Sequence, residues 1–226
     1  MAVKIRKVRE RRSRRGGVAW KQIPVRGRVA HGDAVRTVVL DAAYRLYVQA
    51  GSAGVTMRAL AAELHCAPTA IYRYFRSKDA LLLALKEVAL QVMSQHWATL
   101  TETDDPLADL RAHFWRYYEF SKDHPMYFRL LWADASTPAF DPESPPFAAL
   151  RARTGRQVQR CVDAGVVDKP DDIRAALWSI AHGAAALKTI GMPGLDFDRM
   201  AAGGLDFVLA GARSSKPSRP RARRRA

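Results

Sequence analysis

Apolar residues recur every three or four positions along most of this chain, the spacing that gathers them on one face of a helix. Starting from Asp33, the residues Val35, Val38, Val39, Ala42, Leu46 and Ala50 trace the first such face. Asp33 suits its N-terminal end and Gly51 its stop. "AGSAGVT" reads as a turn. Thr56 is a good N-cap for a short second helix, with Met57, Leu60, Ala61 and Leu64 on one side. "HCAP" breaks the pattern, because Pro68 disfavours a helical residue before it yet can itself open the next helix. That third helix is predicted to run to about Phe75. Ser77 then caps a fourth, with Asp79 placed well against its dipole, and the apolar period carries it towards Thr101.

The second half has the same character. Leu107, Leu110, Phe114, Tyr117, Tyr118 and Ser121 line a helix after Pro106, and a short helix follows Pro125. "ASTPAFDPESPP" is a Pro-rich connection. Further helices are predicted near 146–164, 171–190 and 198–211, and no β-branched alternating run competes with them. The expected fold is all-α, with a helical unit over 33–80 and a larger one over 81–212, flanked by tails at 1–32 and 213–226.

Charge sharpens this division. The formal net charge is +15. Residues 1–32 hold eleven Lys/Arg against one acid, and 213–226 hold seven with none, so the body between them is slightly acidic. The tails are expected to be disordered, and a polyanion would be drawn to them and to the basic N-terminal unit. Cys66 and Cys161 are the two cysteines, too few for a disulfide framework or a thiolate metal site. No eighteen-residue apolar run suggests a membrane span, and no signal peptide is evident; a cytoplasmic setting is expected. Nucleophile, zinc-protease, phosphate-loop and dinucleotide patterns are absent, so neither an enzyme, a metal nor a cofactor is expected.

Two short helices joined by a tight turn, after a longer first helix, describe a helix-turn-helix, whose second member enters the DNA major groove. Spacing puts Ala67, Ile71 and Phe75 on the inward side of that helix. Pro68, Thr69, Tyr72, Arg73 and Arg76 lie opposite, and Tyr74 sits between the two faces, open to either core packing or a phosphate contact. "TMRALAAELHCAPTAIYRYFRSKDALLLAL", from Thr56 to Leu85, resembles the DNA-binding region of the tetracycline-repressor-like regulators. Thr56, Leu60, Ala61, Ile71, Tyr72, Tyr74, Phe75, Ser77, Lys78 and Asp79 carry the likeness. His65 stands where the family's turn commonly has Gly, and Thr69 where it has a small residue. The resemblance implies phosphate contacts from Thr56, Arg58, Tyr72, Tyr74 and Lys78, and an approach to base edges by Pro68, Thr69, Ala70 and Arg73.

"ALWSIAHGAAAL", Ala176–Leu187, resembles the Trp…His-Gly element of one C-terminal subfamily of these regulators. It implies a helical domain for ligand binding and dimerisation. Helices 171–190 and 198–211 are rich in Ala and Gly, which permits close helix approach. Either two copies could meet there as a homodimer, matching a palindromic double-stranded DNA operator, or the small residues serve packing within one chain. Phe114, Trp115, Tyr118, Trp132, Trp178 and His182 form the pool for a pocket that takes a small, largely apolar or aromatic effector. A lone His182 beside Gly183 is more often a hydrogen-bonded buried histidine than a ligand contact. The leading expectation is a ligand-responsive repressor; an architectural nucleoid protein acting through its basic tails is the alternative.

Overall fold

The computed structural model describes residues 28–212, apart from 140, 142 and 169. Of the tails expected to be disordered, 1–32 and 213–226, the parts 1–27 and 213–226 lie outside the described residues, and 28–32 belong to the first helix. The chain divides into two compact units that meet at Leu81 and Leu82, and no strand occurs among the described residues. In chain order the helices are α1 (Arg28–Gly54), α2 (Met57–Glu63), α3 (Pro68–Tyr72), α4 (Lys78–Ala98), α5 (Pro106–Asp123), α6 (Pro125–Phe128), α7 (Pro145–Asp163), α8 (Pro170–Thr189) and α9 (Phe197–Gly211). A π-helical turn, Arg129–Ala133, continues α6.

In the first unit, α1 begins at Arg28 rather than at Asp33. Residues 28–32 contain no proline, and Gly32 costs a helix only about 1 kcal/mol, so nothing stops it from starting earlier. Regular geometry breaks at Ala50 and Gly51, with Gly51 at φ 62°. Val35, Val39, Ala43 and Tyr47 of α1 close on Leu60 and Leu64 of α2 and on Ile71 and Phe75, all of them buried. Thr56 caps α2, its Oγ1 accepting the Ala59 N–H at 3.0 Å.

The end of α2 fixes the turn. The His65 N–H donates to the Ala62 carbonyl at 3.3 Å and the Cys66 N–H to the Ala61 carbonyl at 2.9 Å. This paired closure requires a left-handed residue between helix and turn, and His65 takes it at φ 51°. The same pair of bonds ends α7 and α8, where Gly165 and Gly191 hold the left-handed position at φ 70°. A side chain there is strained by roughly 1–2 kcal/mol.

In the second unit α5 is central and packs against α6, α7, α8 and α9. Asp105 caps it, accepting from the Leu107 and Ala108 N–H groups at 3.0 Å. Asp109, buried on its first turn, accepts from Thr103 Oγ1 at 2.9 Å and from Arg160 at 2.6 Å, which ties α5 to α7. Asp198 gathers Tyr118 Oη at 2.7 Å, Lys122 Nζ at 2.8 Å and Lys188 Nζ at 3.2 Å. These donors hold its carboxyl well below the usual range and join α5 and α8 to the start of α9. On α9, a Cβ at Gly204 would come 2.6 Å from Ile180 Cγ2, a β-branched atom with little freedom to yield. That glycine sets how closely α8 and α9 approach within the chain. Gly183, Gly203 and Gly211 face open space. Among the described residues no helix is long and apolar enough to cross a membrane.

Replacing His65 with Gly removes the strain at the α2 turn. We expect H65G to raise the stability of the first unit by about 1 kcal/mol, seen as a higher denaturant midpoint with an unchanged slope.

Candidate functional site

The first unit presents a compact reading surface. Helix α3 has five residues and ends at Tyr72, shorter than the run to Phe75 expected from the sequence. Arg73 to Phe75 form a turn, closed by the Tyr74 and Phe75 N–H groups donating to the Ile71 carbonyl at 2.9 and 3.0 Å. Ile71 and Phe75 are the inward anchors, whereas Ala67 is exposed. The reason is that Ala67 is the extended N-cap, φ −73°, ψ 143°, so helical spacing does not apply to it. Pro68, Thr69, Tyr72, Arg73 and Arg76 all face outward, with the Tyr72 side chain half-exposed.

Around α3, Thr56 and Arg58 are exposed at the start of α2, and Lys78 is half-buried at the start of α4. There Ser77 Oγ accepts the Ala80 N–H at 3.0 Å. The Thr56 hydroxyl accepts one bond as a cap, and its O–H remains able to donate. Ala70 departs from its expected place at a base edge. It is half-buried and borders a small void with Val35, Val39 and Ile71, so its methyl belongs to the core side. Tyr74 borders the same void and is half-buried. Its carbonyl accepts from Arg36 at 2.7 Å, and the same guanidinium lies 4.4 Å from the Phe75 ring centroid. Arg36 thus braces the end of the reading element from α1. The sequence hid this role, because Arg36 falls on the polar face of α1.

The second unit contains a cavity of about 600 Å³. Its walls come from Trp97 on α4, His113, Phe114 and Tyr117 on α5, Trp132 on the π-helical turn, Phe147, Leu150 and Thr154 on α7, and Leu177 and Trp178 on α8. Of the expected pool, Phe114, Trp132 and Trp178 line it. His182 stands behind two wall residues, stacked on Trp178 at 4.7 Å with its Nδ1 2.9 Å from Tyr117 Oη. Trp115 and Tyr118 do not line it, which corrects the sequence reading. Tyr118 is fully buried and donates to Asp198, with Trp115 edge-on to it at 5.8 Å. Each residue turns a helix by about 100°, so Tyr117 reaches the cavity while Tyr118 points towards α9. Trp97 on α4 and Phe147 on α7 escaped sequence reasoning because no motif marks them, and His113, beside Phe114 on α5, because its partners Trp97 and Thr154 are distant in sequence. The Trp97 indole N–H donates to the His113 carbonyl at 3.2 Å and its ring stacks on the imidazole at 4.8 Å. His113 Nε2 lies 3.1 Å from Thr154 Oγ1, and burial pushes its pKa down to about 4. Among the described residues no cluster of three or more His, Cys, Asp or Glu is placed to hold a metal.

A short helix with a donor-rich outer face, set on a capped partner helix by a tight turn, is a DNA-reading helix-turn-helix, and the chain is a DNA-binding transcriptional regulator. Residues 39–85 match the bacterial regulatory proteins of the tetR family, and residues 110–208 match the tetracyclin repressor-like C-terminal domain. The chain belongs to the tetR family. The C-terminal match is consistent with the Trp…His-Gly likeness. Among solved structures, a protein with unknown function from Rhodococcus sp. RHA1 is 25% identical with a TM-score of 0.67, covering 79% of this chain and 95% of that one. A TetR-family transcriptional regulator from Pectobacterium atrosepticum is 21% identical, TM-score 0.63, covering 84% of this chain and 100% of that one. Another from Haemophilus influenzae RD is 18% identical, TM-score 0.58, covering 80% and 98%. No curated protein matches the sequence.

The neutral His113 has a measurable consequence. In the unfolded chain it takes up a proton near its ordinary pKa of 6.5, whereas in the folded chain it stays neutral to about 4. A base with a depressed folded pKa is stabilising-neutral above 6.5 and opposes folding as pH falls between these values, by up to about 1.4 kcal/mol per pH unit. Unfolding at pH 7 and pH 5 should therefore show a smaller acid loss in H113Q than in the natural protein.

Proposed function

We propose that this protein is a ligand-responsive repressor that binds a palindromic DNA operator as a homodimer in the cytoplasm. In this reading 33–80 reads DNA and 81–212 holds the effector and the second subunit. The observation that carries it is an exposed apolar strip on the second unit. Phe207 is 81% exposed and Ile190 67%, and Met200 is exposed on the same helix as Phe207. The open-facing Gly203 and Gly211 lie on α9 with Phe207 and Met200, and Gly183 lies on α8, which ends one residue before Ile190. A large exposed apolar patch on a soluble protein marks an interaction surface. Small residues beside it let a second copy's helices approach closely, and a twofold pairing of α8 and α9 gives a four-helix contact. Two reading heads related by that axis fit two half-sites.

At each half-site Thr56, Arg58, Tyr72, Tyr74 and Lys78 hold phosphates. Pro68, Thr69 and Arg73 approach base edges, with Arg73 making a bidentate guanine contact. Effector binding in the cavity favours a state of the dimer whose heads no longer fit the operator, through differential affinity for the two states.

Genome-wide pull-down followed by binding to the recovered site tests this. The natural protein should sediment as a dimer and prefer a palindrome over a single half-site, and F207D should shift to monomer and lose at least about tenfold in operator affinity. Equal binding to half-site and palindrome, or recovery of non-specific DNA alone, overturns it. Within the interface, Y72F should weaken all DNA roughly alike, whereas R73A should relax choice at one base pair, on the order of tenfold. Equal effects from both would undo that assignment.

A further inference from the structure

Resting on the reading of this cavity as the effector site, we propose that its occupant is a bulky aromatic carboxylic acid. Its rings lie among the tryptophans and its carboxylate meets Arg151 and Arg174.

The walls define the body of the ligand. Aromatic side chains reach the cavity from five separate elements, and Trp132 lies at the join of three of them. It stands tilted to Phe147 at 6.1 Å and edge-on to Trp178 at 6.3 Å. Faces and edges are thus both on offer, the geometry that flat fused rings prefer over plain sandwiching. A volume of about 600 Å³ suits several fused rings rather than a single one.

Charge defines the head. Arg151 and Arg174 are the charged residues of the lining, and no carboxylate is among it. Both guanidinium side chains are about half exposed, 52% and 51%, which places them at the rim. Arg151 extends beside the Phe147 ring, 5.6 Å from its centroid. Each arginine has a surface partner: Glu143 at 3.3 Å for Arg151 and Asp171 at 3.0 Å for Arg174. Those carboxylates are 80% and 86% exposed, and pairs of that kind hold weakly. A ligand carboxylate, partly shielded by the aromatic wall, can replace them and use the planar fork of the guanidinium.

The interior contrasts with the rim. His113 is neutral at pH 7, so the His113–Thr154 pair offers a hydrogen-bonding handle without charge. The ligand is therefore oriented, rings inward and acid outward. A cationic ligand would meet two guanidiniums, and a neutral one would leave them with their surface partners.

The test titrates the full-length protein at pH 7 with pyrenebutyric acid and with pyrenebutanol, read by quenching of tryptophan emission. The acid should bind at least about tenfold more tightly than the alcohol. In the Arg151→Gln/Arg174→Gln double variant the ratio should fall towards one, with each single variant between. Gly155 lines the cavity and a Cβ there meets nothing within 4 Å, so Gly155→Phe should fill the cavity and weaken both probes. Equal binding of acid and alcohol, both blocked by Gly155→Phe, overturns the carboxylate proposal and leaves the effector site standing. If neither probe binds the folded natural protein, or if Gly155→Phe changes neither, the effector-site reading falls with it.

Discussion

The reading surface depends on the burial of two side chains, Ile71 and Phe75. Helix α3 has five residues, far below the length at which an isolated helix holds in water. It exists because those two residues are almost wholly removed from solvent against α1 and α2. Each such burial contributes on the order of 1.5–3 kcal/mol. Once the anchors are in place, the outward direction of Thr69, Tyr72 and Arg73 follows from the helical turn alone. The strained His65 at the entry and the Arg36 brace at the exit then hold the two ends of the same short element.

The second unit is organised differently. Here one long helix, α5, is aromatic on a broad arc, and its two sides do different things. Phe114 and Tyr117 face a cavity, while Tyr118 runs to a carboxylate that collects two lysines as well. One side is left unfilled and the other is tightly tied. Such a division lets a space persist beside a rigid support, since the tethers to α9 do not require the cavity wall to collapse. The π-helical turn adds to this by carrying Trp132 to the wall immediately before the Pro-rich connection. Lys86, buried on α4, donates to the Pro138 carbonyl of that connection at 2.6 Å, and burial lowers its pKa.

Much of this was legible in the sequence, because caps and apolar periods are local. Thr56, Ser77 and Pro106, and the helices near 171–190 and 198–211, follow from such signals. What local signals could not reach was of two kinds. Ala67 and the last turn after Tyr72 were misplaced, because a proline-opened five-residue helix leaves its flanks outside helical spacing. Trp115 and Tyr118 were assigned to the pocket because α5 shows aromatic residues over most of its circumference, and only the position of α9 decides which of them meets another helix. Arg36, Trp97 and His113 were missed for the same cause: their partners are distant in sequence.

Helix α8 carries Trp178 on the cavity and Gly183 within the strip proposed to meet a second copy. If one helix serves both contacts, ligand and subunit affinity are thermodynamically linked, and the factor by which each changes the other must be the same. The number of molecules per cell then enters the response. Where the effector loosens the pairing, a scarce regulator, close to its dissociation point, answers to less effector than an abundant one, with no change in either site.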